Sequence, residues 1–417
     1  MRAPRTHEPF RGQGVMRFEV PDDLLPVDHR ARLLWQVVET LDLSAFTQDA
    51  KAVEGHEGRP LTSVRMLLVL WLYGISVNIG SAREIARKTR SDAGFQWIVG
   101  DCSVCHDKLS EFRRANGKAL DHLFTDVLGV LLQRKLVSLD LVAQDGTRMR
   151  ARATSPSFRG EAALEECREQ AALHVKAVLA EAGDPESTAG EKRARLLAAK
   201  NYERRVGEAL GAIQQQLEAR SEDGRDRRKK PPTASTTDAE ARIMKMPNGG
   251  FGPGYNVQLA TAGSPMGGPR TIVGVLVTNR GDDLGSVTPM LDDIERRTGS
   301  LPKTLLGDAG LAKHACIRNC ASRGVEAIIA IPKRSQNPGR EADHHPAVDA
   351  WRARMATAEA KETFRARASL CELSNAHLKR RGGGDKLLVR GLGKVTCVAL
   401  LCALAANLLA HLPNLLA

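Results

Sequence analysis

The sequence predicts an α/β domain that is preceded by an all-helical region. Apolar residues recur at helical spacing through residues 1–135, and from Leu136 onward they form short strand-like runs. A long helical excursion interrupts this second pattern, after which strand-like and helical segments follow one another as in an α/β sheet. The chain has 417 residues, which is more than one ordinary core holds. We therefore expect a helical N-terminal region at 1–135 and an α/β domain at 136–417.

The helical region contains two clear helix starts. The segment "LTSVRMLLVLWLYGI" is an apolar helix opened by a Thr/Ser cap, and Ser81 predicts a second start with Ile85 facing inward. Short helices joined by glycine turns resemble a helix-turn-helix arrangement, which makes Arg83 and Arg87 candidate DNA-binding residues. A solvated charged helix face explains the same two arginines, so both interpretations stay open.

A helical hairpin and a basic linker are predicted at 160–235, inserted after the first strand. Two long helical patterns, "EAALEECREQAALHVKAVLAEAG" and "EKRARLLAAKNYERRVGEALGAIQQQLEARSE", flank the loop-like "DPESTAG". The stretch "DGRDRRKKPPTASTTD" that follows is polar, basic and interrupted by prolines. This composition is typical of a linker, which could also lie along a phosphate backbone.

The rest of the α/β domain alternates between strand-like and helical spacing of its apolar residues. Strand patterns are "YNVQLATA", "RTIVGVLVTN", "KTLLGDAG" and "VEAIIAIP", and the helical patterns are "GSVTPMLDDIERRTG" and "AEAKETFRARASLCELSNAHLKRR". The segment 395–412, "VTCVALLCALAANLLAHL", is long enough to cross a bilayer. It is alanine-rich and lacks flanking aromatic residues, which favours a buried helix over a membrane span.

The composition favours a nucleic-acid partner. Lys and Arg number 61 against 49 Asp and Glu, giving a formal charge of +12. Binding to a polyanion is the simplest explanation of such a charge. A basic protein without such a partner remains the alternative. Aromatic residues make up only 4% of the chain, which argues against a carbohydrate-stacking site.

The cysteines and the N-terminus favour a cytoplasmic protein. Eight cysteines lie at irregular spacings, and the pair Cys102 and Cys105 has no second CxxC partner. Reduced thiols therefore fit better than a structural zinc site. The first residues, "MRAPRTHEPFRGQG", contain no apolar stretch of the kind that a secretory signal has.

Two aspartates occupy equivalent positions in the predicted sheet. Asp145 in "VAQDG" and Asp308 in "LLGDAG" each follow an apolar strand and precede a glycine, which predicts a strand end and a turn. Carboxylates at such ends converge, and a divalent cation relieves their mutual repulsion. Glu372 is the best-placed third carboxylate. Arg148 and Arg150 follow Asp145 on the approach to the next strand, where arginines can contact DNA phosphates. Ordinary Asp-Gly turns and a charged strand edge are the open alternatives.

The order and spacing of several motifs resemble those of bacterial insertion-sequence transposases of the DDE class. The motifs are "LWLYGISVNIGSAREIAR", "FQWIVG", "LSEFRRANGKALDHLF", "VAQDGTRMRARA", "GYNVQLA", "IVGVLVTNRGDD", "PML" and "VRGLGKV". The resemblance extends from about residue 60 to 412. It implies a ribonuclease H-like mixed sheet with an inserted helical hairpin, behind a helical DNA-binding region.

The resemblance also implies the residues of the active site. Asp145, Asp308 and Glu372 match the three family carboxylates, which hold the catalytic metal. Around the glutamate, an aromatic residue, an arginine and a lysine match Phe364, Arg367 and Lys379. The two basic residues are thereby candidate DNA contacts. Hard oxygen ligands favour Mg²⁺, with Mn²⁺ as a substitute.

The expected function is binding of the element's ends, followed by metal-dependent DNA cleavage and strand transfer. The expected partners are double-stranded DNA, as terminal repeats and as target, and a second copy of the chain in a dimer on DNA. The expected location is the cytoplasm, on the nucleoid, with no membrane association. The alternatives are a catalytically inactive transposase-derived DNA-binding protein and a stand-alone metal-dependent nuclease.

Overall fold

The computed structural model describes residues 20–48, 61–180, 188–222, 231–264, 266–332, 344–381 and 386–417. Within these residues, a helical region precedes a mixed sheet that is flanked by helices. The predicted linker falls largely on 223–230, and most of the predicted hairpin loop falls on 181–187. Both segments lie outside the described residues.

The described part of the N-terminal region, residues 20–48 and 61–135, contains six α-helices: α1 (Arg30–Glu39), α2 (Val64–Ser76), α3 (Ala82–Lys88), α4 (Ala93–Val99), α5 (His106–Ala115) and α6 (Gly117–Gln133). Both predicted starts are confirmed, because the hydroxyl of Ser63 accepts from Met66 N and that of Ser81 accepts from Glu84 N. Helix α2 is buried along almost its whole length, as its apolar composition predicts. Ile85 is fully buried and faces inward, as expected.

The sheet combines antiparallel and parallel strands. Its strands are β1 (Leu141–Arg150), β4 (Arg242–Lys245), β5 (Phe251–Ser264), β6 (Gly267–Thr278), β7 (Thr304–Gly307) and β8 (Glu326–Ile329). β1 lies at the centre, antiparallel to β5 and parallel to β7, and β8 continues the parallel half beyond β7. β6 and β4 both pair with the outer edge of β5. The order across the sheet is therefore β6-β5-β1-β7-β8, with β4 extending the edge beside β6.

The prediction that the first strand ends at Asp145 and turns on Gly146 is wrong. β1 runs on to Arg150, because its antiparallel pairing with β5 continues to the pair Arg150 and Gly254. Only the parallel pairing with β7 stops, at Ala143. Arg148 and Arg150 consequently lie on β1 itself and not on an approach to the next strand.

The inserted hairpin is present after β1. It consists of α7 (Glu161–Ala180) and α8 (Ala189–Glu222), with the short strands β2 (Phe158–Arg159) and β3 (Ala234–Ser235) paired at its base. Leu164 of α7 and Ile213 of α8 are fully buried against each other's helix in a small separate core. The hairpin thus has its own apolar contacts beside those of the main sheet.

The remaining helices cover the two faces of the sheet. They are α9 (Val287–Thr298), α10 (His314–Ser322), α11 (Pro346–Ala356), α12 (Ala358–Arg381) and α13 (Leu392–Leu416). The sequence analysis did not predict α10, α11 or β4, whose patterns are short. α12 packs on β1 and β5, which brings its residues close to Asp145.

The long apolar helix α13 is buried, as predicted. It is long and apolar enough to cross a membrane, but 78% of its most apolar window is buried inside the protein, against β6, α2 and α6. Asn407 holds it to the edge strand β6, donating to Ile272 O and accepting from Ile272 N, each at 2.8 Å. The side chain thereby pairs backbone groups that an edge strand leaves open.

We expect Asn407→Leu to destabilise the fold by about 3 kcal/mol, because two buried backbone groups of Ile272 lose their partners. The measurement is chemical denaturation of the purified variant. Asn414→Leu, at an exposed position on the same helix, is the matched control and should leave the free energy of unfolding nearly unchanged. Equal stability of the two variants would contradict the anchoring role of Asn407.

Candidate active site

Asp145 lies at the centre of the sheet with both carboxylate oxygens engaged. Oδ1 accepts from the backbone N–H of Gly146 at 2.9 Å, and Oδ2 accepts from the side chain of Asn375 on α12 at 3.0 Å. The guanidinium of Arg367, also on α12, lies 3.8 Å from Oδ2. The side chain remains 24% exposed, so the carboxylate is fixed in orientation but still reachable from solvent.

Asp308 follows β7 directly and lies at the same edge of the sheet as Asp145. Its side chain accepts from Gly310 N at 2.8 Å and thereby caps the short turn at Ala309–Leu311. β1 and β7 are neighbouring parallel strands, so residues just beyond their last shared pair lie side by side. The predicted convergence of Asp145 and Asp308 is therefore found in the structure.

A third carboxylate, that of Asp283, lies in the same place and was missed by the sequence analysis. It belongs to the loop between β6 and α9 and is bonded by the amides of Asn256 and Gln258 and by Arg148, the last at 2.9 Å. A Cβ on Gly310 would lie 3.0 Å from the carboxylate of Asp308 and 3.4 Å from that of Asp283, so the two carboxylates border one point.

The sequence did contain a signal for Asp283. "TNRGDD" places two acidic residues and a glycine a few residues after a third apolar strand, a pattern similar to those around Asp145 and Asp308. Gly146 belongs to the same arrangement. A side chain there would overlap the amide of Gln258 and approach Asp283 Oδ1 to 2.6 Å. Close packing around Asp283, and not a turn, accounts for the glycine.

The electrostatics of the site follow from this crowding. Burial, as the main cause, raises the pKa of Asp145, and the negative charges of Asp308 and Asp283 raise it further, while Arg367 opposes them. Burial, with smaller contributions from the neighbouring carboxylates, raises the pKa of Cys371 on α12 to about 12. The site therefore carries more negative charge than its own cations balance.

Glu372 is not brought into contact with this cluster. α12 turns Leu370, Cys371 and Ser374 toward the sheet, and the side chain of Glu372 is exposed. It lies one turn before Asn375, whose amide reaches Asp145, and so borders the site along the helix. Across the described ranges, no three His, Cys, Asp or Glu side chains are close enough together to hold a metal ion.

The predicted DNA-binding residues fall into two groups. Arg148, Arg150 and Lys379 line one small cavity beside the site, and Arg367 lies against Asp145, with Phe364 5.8 Å from its guanidinium. Arg83 and Arg87 lie on α3, which packs among the other N-terminal helices. Arg87 pairs with Glu84 at 2.6 Å on an exposed surface.

The donor atoms of the site fit a hydrated divalent cation. Magnesium takes one or two protein carboxylates and completes its shell with water and substrate phosphates. Asp145 and Asp308 supply such a pair, and the pKa of Asp145 is raised by burial first and by the neighbouring carboxylates second, both of which a bound cation would offset. The amide oxygen of Asn375 is buried without a hydrogen-bond partner, which leaves one more oxygen donor beside the pair.

The sheet order, with antiparallel β6, β5 and β1 followed by parallel β7 and β8, defines a ribonuclease H-like fold, with Asp145 on β1 and Asp308 directly after β7. Residues 224–408 match the family model "Transposase DDE domain", and residues 19–115 match "Transposase domain (DUF772)". The chain therefore belongs to the insertion-sequence transposases of the DDE class. No curated protein and no solved structure matches it.

The matched ranges agree with the architecture. The DDE match contains Asp283, Asp308 and Glu372, whereas Asp145 precedes it, separated by the inserted hairpin. The family acts on DNA and generally uses a divalent metal. At the level of the family, the protein is thus a transposase enzyme.

We expect Asp145→Asn to raise the melting temperature in EDTA at pH 7 by roughly 2–4 °C, because it removes a buried charge worth about 1 kcal/mol. The raised pKa of Asp145 means that the folded state prefers the protonated acid, so the cost in the wild type is complete above that pKa and decreases as the pH falls from it to the unfolded-state value. The difference between the two proteins should therefore shrink as the pH falls toward about 4.

Asp107→Asn is the control for this comparison, because that side chain is 85% exposed. Its melting temperature should follow the wild type within about 1 °C at each pH. A gap between Asp145→Asn and the wild type that stayed constant from pH 7 to pH 4 would contradict the electrostatic explanation.

Proposed function

We propose that this transposase binds the ends of its own insertion sequence and performs Mg²⁺-dependent cleavage and strand transfer at Asp145 and Asp308. The observation that carries the proposal is the convergence of these two aspartates from neighbouring parallel strands, with the pKa of Asp145 raised by burial and by other carboxylates. A pair of this kind is suited to holding a cation against a phosphate.

The residues of the chain then have distinct roles. Asp145 and Asp308 hold the cation, while Gly146 N and the amide of Asn375 keep the carboxylate of Asp145 in one orientation. When bound there, Mg²⁺, or Mn²⁺ in its place, would supply Lewis-acid activation of the attacking oxygen and stabilisation of the leaving one. The attacking oxygen belongs to water in cleavage and to the freed 3′-hydroxyl in strand transfer. Arg367, whose guanidinium lies 3.8 Å from Asp145, would contact the scissile phosphate.

Glu372 is proposed to complete the carboxylate set once DNA is present. The support is its position one helical turn from Asn375 with a solvent-exposed side chain, which is free to change rotamer. Lys379, Arg148 and Arg150 are proposed to hold the phosphates that flank the cleaved bond. Arg83 and Arg87 are proposed to contact the terminal repeat from the helical region.

The domain division at 1–135, 136–417 and 160–235 remains part of this proposal, as do action on the nucleoid in the cytoplasm and a dimer on DNA. A dimer follows from the need to join two ends in one complex. Size-exclusion chromatography with light scattering, with and without end DNA, tests it. A mass that stays monomeric on end DNA would contradict the dimer.

The deciding experiment is cleavage of a labelled duplex that carries the element's terminal repeat, with Mg²⁺ or with EDTA. We expect cutting at the repeat boundary in Mg²⁺ only, and a loss of at least about 10³-fold in Asp308→Ala, since a metal site contributes several kcal/mol to such a reaction. Asp349→Ala, which removes an exposed aspartate on α11, is the control. Repeat-specific binding without cutting would indicate an inactive DNA-binding protein, and cutting at any sequence would indicate a stand-alone nuclease.

Metal binding can be measured without DNA. We expect Mn²⁺ or Mg²⁺ to raise the melting temperature of the wild type, by about 2.7 kcal/mol of stability at a hundredfold excess over Kd. Asp308→Asn should lose this shift, because one of the two proposed ligands is neutral, and Asp349→Asn should keep it. The same shift in all three proteins would place the metal elsewhere.

A further inference from the structure

A groove outside the proposed active site runs along the junction of three parts of the molecule. Two adjoining cavities, of about 600 and 540 Å³, form it and share Glu240, Arg390, Gly391 and Lys394. Its walls are helix α8 of the hairpin, the start of α13, and the corner between α5 and α6. We call it the junction groove. The cleavage chemistry at Asp145 and Asp308 does not use it.

The groove is lined by six cationic side chains from these three walls: Arg114, Lys118, Arg204, Arg205, Arg390 and Lys394. Three acidic residues also line it, and each has a hydrogen-bond or ion-pair partner in the protein, although only Asp238 is buried. Asp238 is 4% exposed and accepts from Tyr255 at 2.7 Å, Glu240 accepts from the backbone N–H of Leu392 at 2.8 Å, and Glu208 pairs with Arg204.

Most of the cations lack a counter-charge. In the part of the chain that the structure describes, no carboxylate pairs with Arg114, Lys118, Arg205, Arg390 or Lys394. The Nε of Arg390 is buried without a hydrogen-bond partner. Burial lowers the pKa of Arg390, and the charges of Arg152 and Arg205 lower it further, while Asp238 opposes them. The six cations of the groove outnumber its three carboxylates, and this excess of positive charge favours a bound anion.

A path of cations connects the active site to the junction groove. β1 carries Arg148 and Arg150 onward from Asp145, and the segment that leads into α13 pairs with the end of this strand. Leu387 N donates to Arg150 O at 2.8 Å, and the guanidinium of Arg152 donates to Leu388 O at 3.2 Å. Two residues later, the chain reaches Arg390 in the groove itself.

We infer that the junction groove binds the sugar-phosphate backbone of double-stranded DNA as a second contact, independent of sequence, beyond the cleavage site. A small anion would occupy one end of the groove, whereas the continuous path from Asp145 fits a polyanion that extends away from the reacting phosphate. Duplex DNA carries about one negative charge per 1.7 Å of its axis, which suits cations spread over three elements. The inference rests on the proposed function for its ligand, DNA.

The test compares Arg390→Gln/Lys394→Gln with the wild type in binding a labelled random-sequence duplex, in EDTA, over a range of salt concentrations. Two lost phosphate contacts should lower the slope of log K against log salt by about 2, because each contact contributes about 0.9. Affinity for a terminal-repeat duplex should fall by the same factor as affinity for the random duplex, since phosphate contacts carry no sequence information.

Lys303→Gln/Lys361→Gln is the matched control, because it removes the same charge from exposed lysines outside the groove. Its salt slope should equal that of the wild type. A second groove variant, Arg205→Gln alone, should lower the slope by about 1, which guards against misfolding of the double variant. Melting curves of all variants confirm that they fold.

Two outcomes would overturn the inference. The first is an unchanged salt slope in the folded groove variants, and the second is a loss of affinity for the terminal repeat alone. Failure of the proposed function has a different signature, namely wild-type protein that binds the repeat but does not cut it in Mg²⁺. The binding assay in EDTA does not depend on that chemistry, so the two failures are distinguishable.

Discussion

The carboxylate of Asp283 connects the parts of the sheet on which the active site depends. It accepts from Asn256 and Gln258 on β5 and from Arg148 on β1, and the loop that carries it leads into α9. Neutral amides and one guanidinium thus hold a charged group in a largely buried position, where an unpaired carboxylate would be costly. This arrangement leaves no room for a side chain at Gly146. With Asp283 fixed, Asp145 and Asp308 lie beside it on their strands, and the negative charge of the site is built into the fold.

Helix α12 balances this charge from the other side. Arg367 approaches Asp145, and the amide of Asn375 holds one of its oxygens. Glu372 faces solvent, because the rotation of α12 is set by the burial of Leu370, Cys371 and Ser374 against the sheet. The helix therefore orients Asp145 while leaving Glu372 exposed at the border of the site. In the proposed function, bound DNA brings Glu372 into the carboxylate set that contains Asp145.

The long buried helix α13 gives the positively charged surfaces a rigid support. Asn407 and His411 bond to β6 inside the protein, at Ile272 and Thr271. The other end of α13 forms part of the junction groove, where Gly391 and Leu392 are held by Asp238 and Glu240. The acidic residues that fix the start of this helix also line the groove, where the cations outnumber them. The contacts that order the helix thus place Arg390 and Lys394 in the wall of the groove.

The helix starts at Ser63 and Ser81, the hairpin, the burial of α13 and the common edge of Asp145 and Asp308 could be predicted from the residues alone, because these follow from local capping, periodicity and strand order. The continuation of β1 past Asp145 could not be predicted in this way, since antiparallel pairing with β5, distant in the chain, extends it. The same holds for the exposure of Glu372, for the junction groove and for the packing of Asp283 against β5. Each depends on how separate elements pack and rotate against one another, which residue spacing along the chain does not specify.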